Sequence, residues 1–203
     1  GHRLGLEYLK SHKTTLEERE EGKMKGDKWY AFGRTQNLAL HDSQKLAIPS
    51  TVKRLSACYD REGSFYLDNV RINGIILKNG SDSNYKYITG LLNSKLMHWY
   101  FVKGAVRFAN GYYAANRQFI ESLPIRNVNP KDTNQKRLHD SIIASAAQMI
   151  ELKKHLSSIE GIPSNERDEI AHQIELTDRE IDNLVYDLYE LTPEERQIVD
   201  KGI

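Results

Sequence analysis

The sequence predicts an α+β fold: a mixed, small-sheet domain followed by an antiparallel helical hairpin and a short C-terminal helix. Three observations carry this. Between Lys45 and Lys78 the chain is built of short β-branched and aromatic runs separated by turn signals. In the tail, Leu138, Ile142, Ser145, Met149, Leu152, Leu156 and Ile159 are spaced 4-3-4-3-4-3, and Ile170, Ile174, Thr177, Ile181, Leu184, Leu188 and Leu191 repeat the spacing. Thr192-Pro193-Glu194-Glu195 then supplies a cap, a proline at the first helical position and a reciprocal Glu.

Leu4 to Glu20 has helical spacing at Leu6, Leu9 and Leu16 and runs into the charged segment Glu17 to Glu21. Residues 1–27 are expected to be a linker helix from an upstream domain, with the basic, glycine-containing Lys23 to Lys28 closing it. Residues 28–130 form the predicted α+β domain. Within it, Ser56–Asp60 and Ser64–Leu67 flank Arg61-Glu62-Gly63 and read as a hairpin. Val70–Leu77 is a strand candidate bent at Gly74. Tyr85–Val102 reads as one helix with Ile88, Leu91, Leu92, Met97 and Trp99 on its buried side. Pro124 and Pro130 end the region. Residues 131–203 hold the hairpin, expected near 135–159 and 166–191, with Gly161 to Asn165 as its turn and Ser164 or Asn165 capping the second helix.

Composition excludes several classes. The chain has 203 residues, 39% hydrophobic and 28% charged, which is globular rather than disordered. No apolar run approaches the roughly 20 residues that span a bilayer. The single cysteine, Cys58, rules out an internal disulfide and a cysteine zinc cluster and fits a reducing, cytoplasmic location. The chain opens Gly1-His2 without an initiator Met, so it is expected to be a fragment whose parent performs its chemistry upstream. The net charge of +1 hides an asymmetry. Up to Pro130 there are 20 Lys and Arg against 12 Asp and Glu, and beyond it 9 against 16. The basic part suits an anionic partner, and the acidic part suits a solvated helical face or a protein contact.

No catalytic equipment is legible. Neither Gly-x-x-x-x-Gly-Lys nor Gly-x-Gly-x-x-Gly occurs, and the seven histidines lack metal-ligand spacing. His98 reads as a packed or surface residue. Glu-x-Lys at Glu21-Gly22-Lys23 and Glu151-Leu152-Lys153 falls in a linker and a helix, not on a strand that could present a metal site. Two segments have the chemistry of nucleic-acid contact: Trp29 to Asn37 (WYAFGRTQN) and Arg107 to Gln118 (RFANGYYAANRQ). Arg forks onto guanine, Gln or Asn onto adenine, and aromatic rings give sequence-tolerant stacking. The candidates for base edges are Arg34, Gln36, Asn37, Asn110, Asn116, Arg117 and Gln118, with Arg107 among the DNA-binding residues. Tyr112 and Tyr113 either stack on sugars and bases or belong to a strand core. Trp29 and Trp99 read as core.

Trp29–Asn37, Lys45–Pro49 (KLAIP), Gly63–Tyr66 (GSFY), Gly90–Leu96 (GLLNSKL) and Ser122–Ile125 (SLPI) together resemble, in order, the TaqI-like carboxy-terminal specificity domain of adenine-specific DNA methyltransferases and fused restriction–modification enzymes. The resemblance covers about residues 28–126. Glu180–Tyr189 ending in Thr192-Pro193-Glu194-Glu195 is similar to the close of many such proteins, and Leu4 to Arg19 to their lead-in. It implies a module that recognises double-stranded DNA beside an upstream catalytic domain of the parent chain, and it adds Lys45 to the DNA-binding candidates. Asn93 is given a structural role and Lys95 at most a phosphate. The parents transfer methyl from S-adenosylmethionine with an Asn-Pro-Pro-aromatic motif. Here the only Asn-Pro, Asn129-Pro130, continues Lys131-Asp132, so the fragment is expected to be non-catalytic and to bind no cofactor or metal. Two alternatives stand: a specificity subunit or half-subunit of a type I restriction system, and a protein-interaction module acting through the acidic hairpin.

Overall fold

The computed structural model describes residues 2–33, 40–67, 71–159, 161 and 165–202. Gly1–Leu40 forms one compact unit and His41–Ile203 another. The first contains α1 (Arg3–Ser11), α2 (Lys13–Glu17) and α3 (Arg19–Gly22). The single helix expected over Leu4–Glu20 is therefore broken. His12 leaves helical geometry at φ −109°, and none of the three segments has a buried residue whose packing would hold a continuous helix. Arg19 instead organises this unit: its guanidinium donates to the carbonyls of Leu16, Trp29 and Ala31. Trp29 is buried, with the Lys13 ammonium 5.7 Å from its ring.

In the second unit, β1 (Lys45–Pro49) is the centre of an antiparallel sheet, between β3 (Cys58–Asp60) and β4 (Ile72–Ile75). Lys45 faces Asp60 at one end and Pro49 faces Ile72 at the other. A second, two-stranded sheet pairs β2 (Thr51–Val52) with β5 (Tyr113–Ala114). The hairpin expected between Ser56–Asp60 and Ser64–Leu67 does not form, because β3 pairs with β1. The turn is real but is closed by a side chain: the Asp60 carboxylate accepts the Ser64 and Phe65 amides at 2.9 and 3.0 Å. Gly63 sits at φ +65° with a carbonyl of Asp42 2.3 Å from where a Cβ would be, so only glycine fits. Gly74 does not bend β4. It holds a regular position opposite Ala47, and its missing side chain makes room for a methyl of Leu67.

The helix expected over Tyr85–Val102 is two helices, α4 (Asp82–Asn93) and α5 (Lys95–Gly104). Ser94 turns the chain at ψ 155°, donates its hydroxyl to the Leu91 carbonyl and accepts the Met97 amide. Asp182, from the hairpin, takes the next amide, that of Lys95, at 2.7 Å. A serine able to cap the following helix thus competes with helix continuation. Asn93 has the structural role expected of it: its amide bonds both the N–H and the C=O of Ala57. Lys95 reaches two acidic partners, Asp182 at 3.6 Å and Asp200 at 3.4 Å.

After the short α6 (Arg117–Ile120), α7 (Thr133–Ser158) and α8 (Asn165–Leu188) pack against each other as the antiparallel hairpin. Asp132 caps α7 through the Asn134 and Gln135 amides. The second helix stops at Leu188 rather than Leu191, since Glu190 adopts φ +60° and the Leu191 amide closes onto the Tyr186 carbonyl. Ser164 lies outside the described residues. Thr192 and Glu195 form the expected capping box for α9 (Pro193–Lys201).

The hairpin is not a separate domain. One core runs through Leu46 and Ile48 of β1, Leu91 of α4, Phe101 of α5, Ile142 of α7 and Val185 of α8. At the crossing of α4 and α7, Gly90 lets the helices approach so closely that a Cβ there would meet Ile142 at 2.7 Å. The boundary expected near residue 130 is therefore interior to one core, and the division falls at 40/41. Among the described residues no helix is long and apolar enough to cross a membrane.

Candidate nucleic-acid interface

Most of the second candidate segment, Arg107 to Gln118, belongs to a β-ribbon. The Phe108 amide donates to the Tyr112 carbonyl at 2.7 Å and the Ala114 amide to the Val106 carbonyl at 2.9 Å, with Arg107 bridged to Tyr113 between them. A tight 3-10 turn, Ala109–Gly111, closes the tip, with Asn110 at φ +66° and Gly111 at φ +75°. Asn and Gly are the residues that enter this left-handed region at least cost, so the Asn110-Gly111 pair fixes the ribbon locally.

The root of the ribbon is held by the core. Tyr113 stands edge-on to Phe101 and His98, both at 6.3 Å between ring centres. β2 pairs with β5, the Ala115 amide donates to the Ser50 carbonyl, and the Asn73 amide donates to the Ala115 carbonyl at 2.8 Å. The chain after β2 is pinned at successive points. Arg54 reaches the Asn93 carbonyl and the Asp178 carboxylate, and the Leu55 amide donates to His98 Nδ1 at 3.1 Å. Burial, and then the nearby Arg54 charge, push the His98 pKa down, so it stays a neutral acceptor. These anchors leave Lys53 exposed, its ammonium 5.2 Å from the Tyr112 ring.

The expected site residues now separate. Arg107, Asn110, Tyr112, Asn116, Arg117 and Gln118 are all exposed on the ribbon and the turn after it. Asn110 also makes the turn. Tyr113 resolves to the packed alternative at the root. Asn116 precedes α6, its carbonyl accepting the Phe119 and Ile120 amides, and Arg117 pairs with Glu121 at 2.9 Å. Lys45 is removed from the surface set. It is 2% exposed, ion-paired to Asp60 at 2.7 Å and bonded to the His41 and Ser43 carbonyls, so no phosphate can reach it. Arg34, Gln36 and Asn37 lie outside the described residues. Sequence reasoning passed over Lys53, Val106 and Phe108. The available signals were Asn-Gly between β-forming residues and the absence of any Asp or Glu from Lys103 to Gln118.

A second exposed aromatic pair, Phe65 and Tyr66, lies beyond the Lys45–Asp60 end of the sheet, opposite the ribbon end. There the Tyr66 hydroxyl bonds Asp42, and Glu62 and Asp82 flank Arg61, a setting that does not favour phosphate. No group of three or more His, Cys, Asp or Glu positioned for a metal occurs among the described residues.

Residues 3–125 match the TaqI-like C-terminal specificity domain, and the chain belongs to that family. Its role is DNA recognition in methyltransferase and restriction systems, in association with a catalytic domain, and such a domain is not itself catalytic. No curated protein sequence matches the chain closely enough to add a nearer relative.

Proposed function

We propose that the chain recognises a specific double-stranded DNA site through the Val106–Ala114 ribbon, serving an adenine-N6 DNA methyltransferase or fused restriction–modification enzyme whose catalytic domain supplies the cofactor and the chemistry. The observation that carries the reading is the ribbon itself: an exposed, carboxylate-free β-hairpin that carries Arg107 and has Lys53 beside it. A two-stranded ribbon fits the major groove, where each base pair presents its own donor and acceptor pattern. In this reading Lys53 and Arg107 serve phosphates, and Asn110, Asn116, Arg117 and Gln118, like Arg34, Gln36 and Asn37 of the earlier segment, are proposed base-edge residues. The adenine-N6 assignment rests on the sequence resemblance.

Titration of duplex DNA at two salt concentrations tests this. Binding should weaken steeply with salt, since each phosphate contact releases condensed counterions. Lys53→Ala should lower affinity about equally on all sequences and flatten the salt slope by roughly one unit. Asn110→Gly, which keeps the turn, and Gln118→Ala should each cost about 1–3 kcal/mol on the target and little on random DNA. Arg34→Ala and Gln36→Ala, measured in parallel, report whether the Trp29–Asn37 segment shares the reading. Salt-insensitive binding, or ribbon variants with unchanged discrimination, would move recognition off this surface.

A further inference from the structure

The ribbon displays more apolar surface than its fold requires. Val106, Phe108 and Tyr112 are 54%, 47% and 38% exposed. Side chains alternate across a strand, and directly opposed residues share a face. Phe108 and Tyr112 are opposed, so they lie on one face of the tip, while Arg107 and Tyr113 lie on the other. Tyr113 packs onto Phe101 and pairs with the buried Val52, so at the root that other face is the one turned to the core, and Arg107 lies beyond it at the exposed tip. Phe108 and Tyr112 therefore face outward, directly before and after a turn made by two left-handed residues, Asn110 and Gly111.

Charge decides what such a face meets. The segment from Lys103 to Gln118 contains no carboxylate, and Lys53 stands over Tyr112. An apolar face on a segment whose only charges are positive matches a partner that is anionic outside and carries apolar points within. The DNA major groove is such a partner: phosphates line its walls, and the thymine 5-methyl group is the apolar feature of its floor. We infer that Phe108 is a specificity-determining residue that contacts a thymine 5-methyl group in the major groove, with Tyr112 beside it and Val106 extending the same apolar face. This rests on the reading that the ribbon enters DNA. It adds that the target contains at least one thymine whose methyl group, rather than its hydrogen-bonding edge, is read.

Deoxyuridine differs from thymidine at that methyl alone, which makes the test direct. Duplexes selected by the 203-residue chain from a random library are resynthesised with deoxyuridine replacing thymidine one position at a time. The wild-type chain should lose about fourfold in affinity at one or more positions, the effect of one buried methyl group. Phe108→Ala should bind the thymidine and deoxyuridine duplexes equally, and Phe108→Leu should restore part of the difference. Phe108 is exposed, so neither change disturbs the core. Indifference of the wild-type chain to deoxyuridine, selected sites lacking thymine, or equal deoxyuridine sensitivity in Phe108→Ala would each overturn the inference. The salt slope and Lys53→Ala separate the two levels. If they behave as expected while deoxyuridine has no effect, only the role of Phe108 falls. If no salt-dependent binding occurs, the ribbon reading falls and takes this inference with it.

Discussion

Asp60 and Asp182 are both about 3% exposed, yet their environments drive them in opposite directions. Burial raises the Asp60 pKa, but the Lys45 bond and the Phe65 and Ser64 amides outweigh it and hold the carboxyl below its ordinary value. Its stabilising contribution is present above the ordinary carboxylate range and is lost as pH falls through that lowered value. For Asp182 burial dominates and the pKa is raised: Oδ1 takes the Lys95 amide, while Oδ2 has no hydrogen-bond partner and sits 3.6 Å from the Lys95 ammonium. The folded state therefore holds this proton more tightly than the unfolded one, and stability from this group grows as pH falls through the raised value. The same substitution should separate them. Asp60→Asn strands a buried lysine and should cost about 3–5 kcal/mol. Asp182→Asn keeps the acceptor and removes the anion, so at pH 7 it should lie within about 1 kcal/mol of wild type, and wild type should gain on it as pH is lowered. Urea midpoints for both variants at two pH values check this. An Asp182→Asn midpoint as low as that of Asp60→Asn would contradict the account.

At the scale of elements, the α4–α7 crossing sets the position of the hairpin. Gly90→Val would place methyl groups where Ile142 already packs, and overpacking of this kind costs about 1–3 kcal/mol. Ile142→Ala should cost about 2–5 kcal/mol through lost burial and cavity formation, and Leu184→Ala, at a half-buried position, less. Thermal or urea unfolding measures both, and a Leu184→Ala loss exceeding that of Ile142→Ala would show that the seam, not the crossing, dominates. The hairpin and α9 were legible because a 4-3 stripe and a capping box are local patterns. The break at Ser94 was not, since one helix or two depends on Asp182, 87 residues further on, arriving to accept the Lys95 amide. The same distance effect misplaced Lys45. A lysine in a β run reads as surface until the register sets Asp60 opposite it. At the candidate site, residue types were legible from Arg107 to Gln118, but which of them faced outward was not, because that depends on Phe101 and His98 packing under Tyr113.

For the whole molecule, the core cluster runs from Leu46 to Leu188 and, among the described residues, takes none from the first forty. Removal of residues 1–40 should leave the unfolding midpoint of the remainder within a few degrees of the full chain. Truncation after Pro130 should abolish cooperative unfolding, because it takes Ile142, Ile181 and Val185 from beneath α4 and α5. Differential scanning calorimetry of the two truncations decides the matter, and a folded 1–130 fragment would restore the hairpin to the status of an independent domain. The ribbon obeys a different rule. Its root is tied into this core at Tyr113, Ala114 and Ala115, whereas Arg107 to Tyr112 are nearly all exposed and contribute nothing to the core cluster. Exchanges at the tip that respect the Asn110-Gly111 turn therefore leave folding almost untouched. On the proposed reading of the ribbon, a lineage carrying this scaffold can drift from one DNA target to another by successive single substitutions, each intermediate remaining folded.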